Sequence, residues 1–148
     1  MQSQSPLLNI LNKSIRNSGK KIIRDFCEIE KLQNSIKQIE KFINISKNNL
    51  EKDILNLLEK LRPELKVLKK NDTNEKDSWI VNLIDSETNF SRGIDNFFIN
   101  VSLKKLNKTD LSVLYNPVKD ENYYFQKGLG GYKNDFRIRV SEKKRISK

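Results

Sequence analysis

The sequence predicts an α+β layered domain, with two N-terminal helices packed on a mostly antiparallel sheet of five or six strands. Three observations predict it. Apolar residues recur at steps of three and four over residues 7–26 and again over residues 50–61. After Pro63 the apolar period falls to two. Turn signals, Asn116-Pro117 and the Gly128, Gly130, Gly131 cluster, then divide the alternating stretches. A helix-period segment followed by strand-period segments is the pattern of helices layered on one sheet.

The first helix opens with Ser5 as its cap and Pro6 at the first helical position, where a missing amide costs nothing. Leu7, Leu8, Leu11 and Ile15 share one face, and Ile22 and Phe26 continue it. Residues 27–45 are ambiguous. Phe42, Ile43 and Ile45 fit a short strand, with Ser46 as the cap of the helix that follows. That second helix carries Leu50, Ile54, Leu57, Leu58 and Leu61 on one stripe and stops at Arg62-Pro63. Leu65, Val67 and Leu68 begin the strand region, and residues 71–76 form a polar loop. Trp79 to Ile84 reads as a buried strand. Alternation then marks Phe97, Ile99, Val101 and Leu103; Leu111, Val113 and Tyr115; Tyr123 and Phe125; and Phe136, Ile138 and Val140. Residues 1–140 are expected to form one domain and residues 141–148 a charged, frayed tail.

Composition excludes several chemistries. The 148 residues contain no histidine, which removes Ser-His-Asp and Cys-His catalysis and the common zinc sites. A single cysteine, Cys27, cannot form an intramolecular disulfide or a CxxC site, and it reads as structural. No apolar run is long enough to cross a bilayer, and no secretory signal opens the chain, so a cytoplasmic protein is expected. The formal charge is +10, with 22 Lys against 7 Arg, 18 Asn, 16 Ile and no Ala. Two readings of that charge stay open. One is drift toward AT-rich codons. The other is a polyanion partner, although the basic residues are scattered rather than clustered.

Residues 79–90, Trp-Ile-Val-Asn-Leu-Ile-Asp-Ser-Glu-Thr-Asn-Phe, form the most informative segment. It resembles the W-I-x-D-P-[IL]-D-G-T-T-N-F signature of the inositol monophosphatase family. Gly93-Ile94 with Phe97, the run 113–117 (Val-Leu-Tyr-Asn-Pro), Asp120-Glu121 with Tyr123, Gly128-Leu129-Gly130-Gly131 and the run 137–141 keep that family's order and spacing. Upstream, Phe42, Ile43, Glu51 and Arg62-Pro63 match as well. The resemblance is nearest to the bacterial SuhB branch. It covers nearly the whole chain but only the N-terminal half of the family's length. It implies the first half of the layered αβαβα fold. A surface is then expected to be left uncovered, with association or marginal stability as the result.

The family reaction implied by this resemblance is Mg²⁺-dependent hydrolysis of inositol phosphate monoesters, in which carboxylate-held metal activates a water. Carried over by position, the metal set reads Asn82, the backbone carbonyl of Ile84, Asp85, and Lys70 with Asn71 in place of a Glu pair. Asp85 is retained, whereas Asn82 and Lys70 are degenerate. The water-orienting Thr and its Asp partner fall at Glu87 and Lys47. Substrate-contacting positions fall at Ser86, Glu87 and Thr88. The family's distal metal-binding Asp lies beyond the matched half. Glu87 beside Asp85 is a conceivable replacement carboxylate for a weak single-metal site. Alternatively, Lys70 and Lys47 place ammonium groups against Asp85 where the metal would sit. Codon drift at unconstrained positions explains the same substitutions.

Three functions follow from the resemblance: a catalytically defective member of the family; a phosphomonoesterase completed by a second chain; or a SuhB-like non-catalytic factor contacting RNA polymerase or RNA. A homodimer or a complementing C-terminal half is the expected partner, with no membrane association and no DNA-binding motif. Gly128 to Gly131 reads as a turn rather than a phosphate cradle, since no helix follows. Tyr123, Tyr124 and Phe125 read mainly as sheet core rather than a base-stacking platform.

Overall fold

A computed structural model describes residues 4–31, 35–69, 72–85 and 87–142. Two long helices open the chain, α1 (Pro6–Lys31) and α2 (Ile36–Leu61). The Ser5 hydroxyl accepts from the Leu8 amide at 3.3 Å, capping α1 as its sequence requires. The stripe of α1 is the expected one, extended by Ile29 at its far end.

In α2 the structure departs from the sequence expectation. The short strand at Phe42 to Ile45 is absent, and the helix runs unbroken from Ile36. Its cap is Ser35, whose side chain accepts from the Gln38 amide at 3.4 Å. Ser46 lies in mid-helix and is buried. The reason is periodic: Ile39, Phe42, Ile43, Ser46, Leu50 and Ile54 follow one another at helical steps, so one continuous stripe meets the core. β-branched clustering at Ile43 and Ile45 is a weak local preference, and burial of the stripe overrides it. Ile45 itself is half exposed. The helix ends where predicted, with the Arg62 amide bonded to the Leu58 carbonyl at 2.9 Å just before Pro63.

Among the described residues seven strands follow in one sheet, ordered as in the chain: β1 (Lys66–Leu68), β2 (Ser78–Asp85), β3 (Phe98–Lys105), β4 (Lys108–Asn116), β5 (Glu121–Gln126), β6 (Gly130–Lys133) and β7 (Phe136–Ile138). β1 and β2 are parallel, and every other pair is antiparallel. A short helix, α3 (Glu87–Ser91), joins β2 to β3. Neither α3 nor β6 was expected. The glycines at 130 and 131 were read only as part of a turn, but they start a strand whose partner is β5.

Cross-strand register defines the face that meets the helices. Trp79, Leu103 and Leu111 form one row, and Val81, Val101, Val113 and Tyr124 the next. All are buried, with α1 against β4 and α2 against β2. On β5 the inward set is the opposite of the one read from the sequence. Val113 faces the helices and pairs with Tyr124, so Tyr124 points inward while Phe125 is turned out. The outward face carries Ile80, Ser102, Ser112, Phe125 and Ile138, half-buried or exposed. Phe136 and Val140, read as strand-core residues, are also exposed, because β7 is a three-residue edge strand that ends at Ile138. Cys27 is exposed as well, so it packs in no core.

Candidate functional site

Of the residues singled out from the sequence, Asn82, Ile84 and Asp85 lie at the C-terminal end of β2, with Glu87 and Thr88 just after it and Lys47 paired with Glu87. The strand has a register shift there: Asn82 pairs with Asn100, and the next pair is Asp85 with Phe98. Leu83 and Ile84, consecutive in the chain, are both buried. Two successive inward side chains are the mark of a bulge, and the extra residue turns Asp85 out to solvent. The Asn82 side-chain amide donates to the Asp85 carboxylate at 3.2 Å. The two positions therefore touch each other directly, and Asn82 meets Asp85 with its NH₂.

α3 is pinned under this strand end by Phe90. Its ring is fully buried and packs edge-on to Phe97 at 4.9 Å and beside Phe26 at 6.1 Å. The Asn89 side chain donates to the Asn96 carbonyl at 2.7 Å, and the Ile94 amide donates back to the Asn89 carbonyl at 2.8 Å. These bonds close the loop into β3. The packing fixes Glu87, the first residue of α3, facing α2. There the Lys47 ammonium forms an ion pair with it. Acidic Glu87 in the first turn is also favourable toward the helix amides. Thr88 is exposed, and its carbonyl accepts from the Ser91 hydroxyl at 2.9 Å. Glu51, one turn further along α2 from Lys47, pairs with Lys69 at 2.8 Å.

The expectation that Lys47 neutralises Asp85 is thus corrected. Lys47 pairs with Glu87, and the hydrogen-bond partner of Asp85 is Asn82. Lys70, Asn71 and Ser86, with the tail from residue 143, lie outside the described residues. Among the described residues no group of three or more Cys, Asp or Glu lies close enough to hold a metal ion. Among the described residues the donors at the end of β2 are the Asp85 carboxylate, the Asn82 side-chain amide and the Ile84 backbone carbonyl, with Glu87 engaged by an ammonium. Mg²⁺ takes octahedral oxygen and is held through one or two carboxylates with waters, so Asp85, already accepting from Asn82, with Glu87 engaged by Lys47, is a poor fit to it.

Comparison with known proteins interprets this arrangement. The family model described as the inositol monophosphatase family matches residues 3–148. The chain belongs to the inositol monophosphatase family. It is 33% identical to an inositol-1-monophosphatase of Rhizobium meliloti over 150 residues, which cover 98% of this chain and 56% of that protein. It is 30% identical to a Nus factor SuhB of Buchnera aphidicola, covering 92% of this chain and 53% of the relative. The solved structure of the extragenic suppressor protein suhB from Bartonella henselae superposes with a TM-score of 0.78 at 28% identity, over 95% of this chain and 56% of that one. This inositol monophosphatase-family chain therefore spans about half the length of the relatives it matches, and the two helices with their sheet are the family's N-terminal layers. Among the described residues no helix is long and apolar enough to cross a membrane.

The resemblance put positions 47, 82, 85 and 87 in one expected site; the structure brings Lys47 to Glu87 and Asn82 to Asp85. The partnership of positions 47 and 87 was legible as an Asp–Thr pair in the family. The replacement of both by residues of opposite charge was the available signal for the ion pair that the structure contains.

Proposed function

We propose that residues 1–148 form a catalytically defective member of the inositol monophosphatase family, with residues 1–140 as its domain. The observation that carries this reading is the Lys47–Glu87 ion pair. Where the family resemblance puts an Asp that orients a Thr hydroxyl, this chain has an ammonium held by a carboxylate. Neither group is left to orient a water as a neutral hydroxyl with a carboxylate partner does. The amide at Asn82 removes a second anionic donor. An added positive group near a divalent cation costs about 4 kcal/mol per unit charge at about 4 Å and an effective dielectric of about 20. Substitutions at two linked positions, which replace the water-orienting pair by an ion pair, together with the amide at Asn82, support loss of the metal-dependent reaction rather than its modification.

A second reading has support of its own. Several of the chain's relatives are named Nus factor SuhB, and a role of that kind, in contact with RNA polymerase or RNA, needs no metal site. Hydrolysis of a phosphomonoester completed by a second chain is the remaining alternative.

The test is thermal unfolding with and without millimolar Mg²⁺, together with phosphate release from inositol 1-phosphate. The expected outcome is an unchanged transition and no Mg²⁺-dependent release. A ligand at about 100 times its dissociation constant adds about 2.7 kcal/mol, so a clear rise in the transition would overturn the proposal. Salt-sensitive capture of purified RNA polymerase by the Mg²⁺-indifferent chain would favour the binding role.

A further inference from the structure

The face of the sheet turned away from the helices is built unlike the rest of the surface. Register places Leu68, Ile80, Ser102, Ser112, Phe125, Gly131 and Ile138 in one row across all seven strands. No member of this row is charged, although the chain carries 29 basic and 19 acidic residues. Phe125 and Ile138 are 38% and 45% exposed. The polar members of the row are satisfied within their own sheet. Ser102 donates to the Asn100 side chain at 3.2 Å, and the Ser102 and Ser112 hydroxyls share a hydrogen bond at 2.7 Å. Covering them therefore leaves no donor without an acceptor, and the usual cost of burying a hydroxyl is avoided.

Charge and shape select what would cover the row. The charged groups near it are already held: Lys133 pairs with Glu121 at 3.1 Å, Asp110 lies 3.5 Å from Lys105, and the Lys104 ammonium donates to the Asp72 carbonyl. A polyanion finds little to grip here. Two copies of a chain with net charge +10 repel each other over most of their surface, and an uncharged row is where they can meet. The row also fits itself. β4 is the fourth of the seven strands, so a two-fold axis along it sets β3 over the partner's β5, β2 over its β6 and β1 over its β7. Phe125 then lies on the partner's Ser102, Ile80 on the partner's Gly131 and Leu68 beside the partner's Ile138. Leu114, on the same strand and face as Ser112, meets its own copy. Large side chains thus oppose small ones, as packed sheet faces require. Gly131 leaves real space for a knob: a Cβ there would have Ile138 Cγ1 at 3.5 Å as its nearest neighbour.

We propose that this sheet face is the interface between two copies of the chain, related by a two-fold axis along β4. Seven strands span about 29 Å and five residues along each about 17 Å. Two such faces bury about 1,000 Å² in total, at the lower bound for a specific interface. The dimer is therefore reversible and concentration-dependent. It does not rest on the loss of catalysis, since the row contains neither Lys47, Asn82, Asp85 nor Glu87.

The test is sedimentation equilibrium of residues 1–148 over a wide concentration range, with circular dichroism as the check on folding. The mass should rise with concentration from 17.4 kDa toward twice that value. Phe125→Glu is expected to weaken the dimer about tenfold or more, because it brings an unpaired charge into the interface. Ile45→Glu, on a residue of α2 that is 50% exposed, should leave it unchanged. Gly131→Leu fills the space opposite Ile80 and should weaken the dimer, and Ile80→Ala added to the same chain should restore part of the loss. Should Phe125→Glu fail to fold, Ser112→Lys carries the test, since it sets two ammonium groups together on the axis. The proposal is overturned if the chain stays at 17.4 kDa at every concentration, even where it then takes up single-stranded RNA at Phe125. It is overturned equally by a dimer that the folded Phe125→Glu, Ser112→Lys and Gly131→Leu variants form as tightly as the parent, or by one that only Ile45→Glu dissociates.

Discussion

Lys47 on α2 forms an ion pair with Glu87, 40 positions later at the first residue of α3, and joins the two helices beside the bulged end of β2. The two side chains are 39% and 50% exposed, so water screens them. A double-mutant cycle of Lys47→Ala and Glu87→Ala should therefore give a coupling of only about 0.2–1 kcal/mol in denaturant unfolding. The coupling should shrink as salt approaches about 1 M, where the screening length is about 3 Å. The charge-reversed pair, Lys47→Glu with Glu87→Lys, should recover part of it. A coupling indistinguishable from zero at low salt would mean that the packing of Phe90 and the Asn89 hydrogen bonds hold α3 without the ion pair.

Gly19 sits in the buried stripe of α1 against the Tyr115 ring. An added Cβ would lie 2.6 Å from Tyr115 Cε1 and 3.2 Å from Pro117 Cβ. On an open helix face, Gly to Ala stabilises by about 1 kcal/mol through propensity. Here the steric term opposes that gain, since overpacking a core costs typically about 1–3 kcal/mol. Gly19→Ala should therefore lower stability or displace Tyr115 from Asp120, its acceptor at 2.7 Å. A stabilised variant with that hydrogen bond intact would show that α1 stands further from β4 than the structure has it.

Helix α2 offers a contrast between two serines. Ser35 caps the helix through the Gln38 amide, whereas Ser46 is buried eleven residues along. Ser35→Ala should cost about 1 kcal/mol. Ser46→Ala should be near neutral or stabilising, because alanine has the better interior propensity. The reverse order, measured by thermal melting, would restore a break in the helix near residue 45.

These contrasts indicate where the sequence was informative. The cap and stripe of α1, the end of α2, the apolar run of β2 and the alternation of β3 and β4 follow from local pattern. The stretch from Phe42 to Ile45 did not, since a few consecutive β-branched and aromatic residues satisfy both periods and only packing of the whole stripe decides. On β5 local alternation favoured Tyr123 and Phe125, but the register with Val113 sets the inward residue, and register is a property of two strands. The same holds at the site. The family motif singled out Asp85 and Glu87 as expected site positions, whereas the partner of Lys47 depends on where Phe90 seats α3, a contact no spacing encodes.

Two tyrosines make stability sensitive to alkali. Burial pushes the Tyr115 hydroxyl up from 10.0 to about 12, aided by its hydrogen bond to Asp120 and the charge of that carboxylate. Burial likewise pushes Tyr124 up to about 12, with Asp135 as the acceptor. In the unfolded chain both phenols ionise near 10, so the unfolded state releases these protons first as the pH rises. Their contribution is fully present below about pH 10 and is lost as pH climbs through about 12. Exposed lysines with raised values, Lys66 and Lys133 among them, act in the same direction at high pH, so the slope alone does not identify the tyrosines. Tyr115→Phe separates the terms. It should lower stability at neutral pH by removing the bond to Asp120, yet lose stability less steeply than the parent between about pH 10 and 12. Unfolding free energies measured across that window, alongside the tyrosinate absorbance of the folded chain, check both halves. Parallel slopes for the two proteins would show that Tyr115 ionises as an exposed phenol does and that its ring is not sealed between α1 and β4.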